Sequence, residues 1–142
     1  MKRVMALDVG FKKIGVAVSD PLLLTSRPYT IIHRKSNKET FEDLFKLINN
    51  LNVEKIIVGI PINAKGDETK IAEKIRKFIS KFESFLKEQG KEIELEFVDE
   101  SYSTMEAEEL CRLLGKREKK EVDDIAAALI LKEWLENRNS VS

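Results

Sequence analysis

The stretch that decides the fold is Val4-Met5-Ala6-Leu7-Asp8-Val9-Gly10-Phe11-Lys12-Lys13-Ile14-Gly15-Val16-Ala17-Val18. Two short apolar runs, Val4 to Leu7 and Ile14 to Val18, flank the connection Asp8 to Lys13. Both are too short for helices, rich in Val and Ile, and almost without polar interruption, which is the pattern of strands buried on both faces. They predict a hairpin at the centre of a sheet.

Outward from this hairpin, Asp20-Pro21 and Arg27-Pro28 punctuate a loop before a third strand, Tyr29 to Ile32. Phe41, Leu44, Phe45, Ile48 and Leu51 recur at helical spacing, so a helix is predicted from Asn37 to Leu51 with Ser36 or Asn37 as its cap. Lys55 to Pro61 reads as a buried strand, followed by the loop Asn63 to Asp67. A second helix carries an apolar stripe from Ile71 to Leu86 and stops at Gly90. Ile93, Leu95 and Phe97 alternate with Glu94 and Glu96 in a strand ending at Val98-Asp99-Glu100. Ser103-Thr104-Met105-Glu106 has the reciprocal Ser and Glu of a capping box and predicts a helix to about Leu114. Gly115 to Lys120 is a charged loop, and a last helix is expected from Glu121 to about Asn137, with 137–142 a frayed tail. The order β-β-β-α-β-α-β-α-α predicts an α/β fold: a mixed five-stranded sheet flanked by helices, in one domain spanning 1–142.

Composition narrows the function. Among 142 residues, 25 Lys and Arg balance 25 Asp and Glu, so no global field draws the chain to a polyanion and any such site must come from local segregation of charge. One Cys and one His exclude an internal disulfide and a structural zinc site; a metal here would be held by oxygen. Apolar runs fall far short of the ~20 residues that span a bilayer, and Met1-Lys2-Arg3 leads directly into a strand pattern rather than a signal peptide. A cytoplasmic protein without membrane contact is expected.

Three acidic positions stand at the ends of predicted elements: Asp8 after the first strand, Asp99-Glu100 after the fifth, and Asp123-Asp124 in the first turn of the last helix. A carboxylate closing a central apolar strand is desolvated at a cost of several kcal/mol unless a cation stands beside it. If these ends share one edge of the sheet, the clustered acids suit Mg²⁺ or Mn²⁺, and two such ions about 3.5–4 Å apart support phosphodiester hydrolysis. Each acid also has a plainer reading: a turn former at Asp8, a loop acceptor at Asp99, favourable helix-terminal charge at Asp123-Asp124. Their coincidence favours a site over three separate accidents.

Gly10 and Gly15 have the G-x₄-G spacing of a phosphate loop, but Val16-Ala17 stands where Lys-Ser/Thr is required, so this is no Walker motif. An actin-like ATPase hairpin is disfavoured by length, since that class uses two such domains. Between Glu96 and Glu109 there are six acids and no base, whereas Arg112 to Lys120 holds five bases and one acid. Lys116, Arg117, Lys119 and Lys120 could therefore grip a nucleic-acid backbone, or form a solvated linker. Lys12 and Lys13, in the hairpin that starts at Asp8, are better placed for that contact. His33 reads as a surface residue, Cys111 as a small core residue, and Trp134 and Phe78 as packing residues. Phe11 and Tyr102 could stack a base, with plain packing the safer expectation for both.

Four stretches together resemble the YqgF family, also called RuvX: Ala6 to Asp20, Ile57 to Asn63, Asp99 to Ala107, and Val122 to Leu131. The resemblance runs in order through almost the whole chain. It implies a ribonuclease H-like fold, a cytoplasmic location, and a pre-16S rRNA nuclease that matures the 5′ end of the small-subunit rRNA precursor, in a family once described as Holliday junction resolvases. The family's first-strand acid falls on Asp8, its Asp-Glu pair on Asp99 and Glu100, its last-helix acid on Asp123 and its hairpin lysine on Lys12. Two positions depart from the family pattern: Ser101 stands where Arg is usual, and Lys65 where Asp is usual. The second acid also follows the fifth strand, whereas ribonuclease H proper and the RuvC resolvases carry it on the fourth.

The expected activity is therefore a metal-dependent endonuclease on precursor rRNA or the small ribosomal subunit, as a monomer or homodimer, with Asp8, Glu100 and Asp123 catalytic and Asp8, Glu100, Asp123 and Asp99 as ligands of Mg²⁺ or Mn²⁺. A resolvase of four-way DNA junctions is the nearest alternative. A non-catalytic nucleic-acid-binding assembly factor is the third.

Overall fold

The computed structural model describes residues 2–63, 65–100 and 122–140. Its strands are β1 (Arg3–Val9), β2 (Lys13–Ser19), β3 (Ser26–His33), β4 (Val53–Pro61) and β5 (Glu94–Glu100); its helices are α1 (Asn37–Leu51), α2 (Lys70–Glu88) and α3 (Val122–Ser140). They form one mixed sheet in the order β3-β2-β1-β4-β5. β1, β2 and β3 pair antiparallel through tight connections, while β4 and β5 join parallel after the crossover helices α1 and α2.

Alternation along the strands gives the sheet two unlike faces. Met5, Leu7, Val9, Ile14, Val16, Val18, Ile56 and Val58 build the bulky face, covered by Phe41, Leu44 and Ile48 of α1 and by Phe78, Ile79 and Phe82 of α2. Val4, Ala6, Ala17 and Ile57 build the other, covered by Ala127, Ala128, Ile130, Leu131 and Leu135 of α3. Small side chains on both partners let α3 lie close to the strands. The Ser26 hydroxyl donates to the Ala128 carbonyl at 2.8 Å and pins it there.

Local chemistry sets the helix ends. Ser36 caps α1 by accepting from the Glu39 N–H and donates its hydroxyl to the Glu39 carboxylate, both at 3.2 Å, and α1 closes on Asn52 in the left-handed region (φ 54°). Thr69 caps α2 by accepting from the Ala72 N–H at 3.2 Å.

Two boundaries differ from expectation by three residues, more than the others. β3 begins at Ser26 and includes Pro28, which is tolerated because β3 is an edge strand and the register with β2 shifts between Val16 and Ala17. α3 remains helical to Ser140, beyond Asn137, with Lys132 and Glu136 paired one turn apart at 3.9 Å and Arg138 set 5.7 Å from the centre of the Trp134 ring. The expected helix from Ser103 to Leu114 and the loop Gly115 to Lys120 lie outside the described residues. No helix among the described residues is long and apolar enough to cross a membrane.

Candidate active site

Asp8 follows Val4 and Ala6 on the α3 face of β1, half-buried near the strand's C-terminal end. Its partner across the ladder on β2 is Gly15. On the other side, the register Leu7 to Val58 brings Gly59 alongside it on β4. Directly opposed side chains in a sheet stand about 4.5–5.5 Å apart, so two glycines strip that space of side chains on both flanks of one carboxylate. A strand-interior glycine costs about 0.5–1 kcal/mol relative to Ala and marks a place where something must come close.

Glu100 supplies the second acid. It ends β5, level with Pro61 of β4, and alternation puts it on the α3 face with Val98 and Glu96. Its carboxylate leans back across β4: Oε2 lies 3.3 Å from the point a Cβ on Gly59 would occupy, and Cδ1 of Ile130 lies 2.5 Å from the same point. Gly59 is thus the floor of a slot with Asp8 on one side, Glu100 on the other and Ile130 against it. Strands two positions apart are separated by about 10 Å, and the lean of Glu100 over Gly59 shortens that gap.

α3 runs antiparallel to β1, β4 and β5. Ile130 sits over Gly59 near the end of β4, while Trp134, one turn later, donates from Nε1 to Glu96 at 2.7 Å, nearer the start of β5. The first turn of α3, which contains Asp123 and Asp124, therefore lies toward the sheet end that carries Asp8 and Glu100. Asp99, by contrast, is exposed on the opposite face from Glu100, as alternation requires.

The hairpin beside Asp8 is tightly built. The Gly10 N–H donates to the Lys13 carbonyl at 2.8 Å, and a Cβ on Gly10 would stand 2.8 Å from that same oxygen, so no larger residue fits without moving backbone. The Arg34 N–H donates to the Lys12 carbonyl and its Nη1 to the Gly10 carbonyl, both at 2.8 Å. This clamp fixes the turn that presents Lys12, which is exposed, and Lys13, which is half-buried. Burial lowers the Arg34 guanidinium from its ordinary value, with no effect on its charge at neutral pH.

Elsewhere on the α3 face, burial pushes the Glu96 carboxyl up, but Lys55 at 3.0 Å and the Trp134 indole outweigh it and hold the group below its ordinary value. Asp20 is also lowered, by the Thr25 N–H above all; it also accepts from Leu24 and so organises the loop before β3. These are structural carboxylates. In the loop after β4, Asn63 accepts from the N–H groups of Lys65 and Asp67, and Lys65 is exposed. His33 is exposed and Phe78 and Trp134 pack, as expected, but Phe11 does not: it is 83% exposed at the hairpin tip, beside the start of α2. Ser101, Tyr102, Cys111, Lys116, Arg117, Lys119 and Lys120 lie outside the described residues.

The donors here are carboxylate oxygens, the set that suits a hard divalent cation. Among the described residues no group of three His, Cys, Asp or Glu converges; Asp8 and Glu100 share the α3 face on strands either side of Gly59. Ile130 and the Glu100 carboxylate fill the space over Gly59, so what suits a small ion is the carboxylate chemistry on this face and not an open cavity.

The family model for "RuvX: Holliday junction resolvase" matches residues 2–137. The chain belongs to the RuvX family. A protein of Sulfurihydrogenibium sp. (strain YO3AOP1), named "Putative pre-16S rRNA nuclease", is 35% identical over 96% of this chain and 91% of its own length. One of the same name from Carboxydothermus hydrogenoformans is 38% identical over 94% and 95%. Family and relatives alike are named as enzymes acting on phosphodiester bonds. Among solved structures, Thermus thermophilus RuvC superimposes with a TM-score of 0.60 at 14% identity, covering 96% of both chains, and its complex with a Holliday junction substrate with 0.58 at 15%, covering 99% and 97%. These likenesses establish the ribonuclease H-like fold for this RuvX-family chain.

Gly15 and Gly59 were missing from the sequence-based site. Their signal was available, since each is a lone glycine inside an apolar strand run, a pattern that marks close approach.

Proposed function

We propose that this RuvX-family chain is a divalent-metal-dependent endonuclease, acting in the cytoplasm on the precursor of 16S rRNA. The observation that supports the reading is that Asp8 and Glu100 lie on one face at one end of the sheet, with only Gly59 on the strand between them. Nucleases of this fold generally use divalent metals. Mg²⁺ or Mn²⁺, when bound, would supply activation of the attacking water and charge stabilisation at the leaving oxygen. Asp8 and Glu100 hold such an ion from two strands, and Asp123 provides the third carboxylate from the approaching end of α3. Asp99, exposed on the far face, does not share that task. Lys12 and Lys13 on the clamped hairpin, together with Lys116, Arg117, Lys119 and Lys120, take the backbone phosphates on either side.

Asp8→Asn tests this. A purified variant should lose cleavage of a precursor-rRNA 5′ fragment in Mg²⁺ or Mn²⁺ while binding it as well as or better than the parent, since one negative charge near the phosphate is removed. Cleavage within a few-fold of the parent refutes the assignment. The family's name as Holliday junction resolvase also favours a second substrate, the four-way DNA junction. Symmetric cutting of two strands there needs a dimer, so junction cleavage by a dimer, with rRNA precursor left intact, would reverse the choice. Metal-dependent turnover of either substrate excludes a purely structural assembly factor.

A further inference from the structure

On the opposite side of the hairpin from the acid slot lies a cleft of about 160 Å³ between the β1–β2 turn and the start of α2. Its walls are Phe11, Ile71 and Phe78, with Arg34 and Lys74 at its polar sides and no acid among its lining residues. Phe11 is 83% and Ile71 62% exposed, two of the four large apolar residues this open among the described ones. The Arg34 guanidinium lies 4.2 Å over the buried Phe78 ring and is bonded to the Gly10 carbonyl, so the polar side of the cleft is fixed rather than adaptable.

An exposed aromatic on a rigid turn has little to gain by staying in water, since its burial is worth about 1.5–3 kcal/mol. The cleft is well below the roughly 300–1,000 Å³ of small-molecule pockets and suits one planar group. Cations without acids select an anion-bearing partner, and the lining starts at Val9 and Gly10, immediately after Asp8.

We infer that this cleft receives one unstacked base of a single nucleic-acid strand, a nucleotide or two from the phosphate held at Asp8, with the base stacked on Phe11 and its backbone phosphate beside Lys74 and Arg34. The inference rests on the nuclease reading and gives it a direction: the strand passes over the end of β1 from the α3 face to the α2 face. It also adds Phe11 and Lys74 to the nucleic-acid-contacting residues.

The test reads binding rather than cleavage, in the Asp8→Asn background, with a fluorescent 12-nucleotide single-stranded RNA. Phe11→Ala should weaken binding about 5- to 150-fold, the range of one lost base–aromatic stack, without changing the salt dependence. Phe11→Trp should preserve affinity, and RNA should quench the introduced indole. Lys74→Ala should reduce the logarithmic salt slope by about 0.7. An oligonucleotide series with one abasic position at a time should show one position whose loss weakens the Asp8→Asn protein but not its Phe11→Ala derivative. Because Phe11 is so exposed, none of these variants threatens the fold. If Phe11→Ala binds RNA unchanged and the indole is not quenched, the inference is overturned while the nuclease reading stands, and the cleft is left to an apolar group of a protein partner. If the parent itself binds no single strand, both fall.

Discussion

Gly59→Ala probes the site without replacing an ionisable group. The new Cβ would stand 2.5 Å from Ile130 Cδ1, whereas ordinary contact begins at 3.4 Å, so Ile130, or α3 with it, must retreat by about 0.9 Å. Overpacking of this kind costs about 1–3 kcal/mol, and the backbone entropy that Ala saves over Gly returns about 0.5–1. The net loss of roughly 0.5–2 kcal/mol should lower Tm by about 2–8 °C in a domain of this size. Activity should suffer more than stability, because a shift of about 1 Å between the carboxylates and the cleaved phosphate can cost about 100-fold. Ile130→Val deletes the offending Cδ1, so the double variant should recover stability and cleavage beyond the sum of the single effects, a coupling of about 0.5–3 kcal/mol. Gly59→Val combined with Ile130→Ala separates the two roles: it relieves the helix contact but sets branched methyls where the Glu100 carboxylate lies, so the protein should fold and fail to cleave. Thermal denaturation and metal-dependent cleavage of the rRNA fragment give both readouts. Parental cleavage by Gly59→Val/Ile130→Ala would show that Glu100 does not act across Gly59.

The remaining expectations concern α3 and its anchor. Neighbouring helix residues point about 100° apart, and Asp123 stands four residues before buried Ala127 and seven before Ile130. Asp123→Asn should therefore reduce cleavage by more than about 100-fold and Asp124→Asn only slightly; the opposite result, in cleavage titrated with Mn²⁺, would rotate the assignment by one residue. Glu96 is held below its ordinary 4.5 by Lys55 and Trp134, so it binds fewer protons folded than unfolded. The stability it contributes is complete above that value and disappears as pH falls through its lower folded-state pKa. Urea denaturation should accordingly find Glu96→Gln less stable than the parent at about pH 7, with the difference shrinking toward about pH 3; a difference independent of pH would remove the charge from the account.

Much of this fold is legible from short-range patterns. The span of α1 from Asn37 to Leu51 follows from its apolar spacing and from Ser36 as its cap, both contained within a few turns. The buried hairpin follows from two Val- and Ile-rich runs. What escapes is whatever depends on neighbours distant in sequence. Pro28 reads as a strand breaker until β3 is known to be an edge, and Phe11 reads as a packing residue until the Gly10–Arg34 clamp aims it into solvent. Asp99 and Glu100 form an intermediate case. Adjacent strand residues face opposite ways, so only one of them can join Asp8, and the sequence alone hints which: Glu100 keeps step with Val98 and Glu96, but which face of the sheet they occupy is decided by Trp134 and Ile130 on α3.

On the proposed reading, that third element also accounts for how an acid at the end of the fifth strand serves a site centred on the first. Had the second carboxylate risen from β4 beside Asp8, it would occupy the position of Gly59, against Ile130 of α3. With glycine there, the β4 backbone offers no side chain, Ile130 settles into part of the vacated volume, and the longer Glu side chain from β5 enters the rest. The extra methylene of Glu over Asp matters here, because Glu100 starts one strand further out and two residues beyond the level of Gly59. Glu100→Asp would therefore keep the charge but shorten the reach by about 1.5 Å. Moving the acid outward, lengthening it and emptying the strand between are parts of one proposed arrangement, so neither Glu100→Asp nor a side chain at Gly59 should by itself leave cleavage intact.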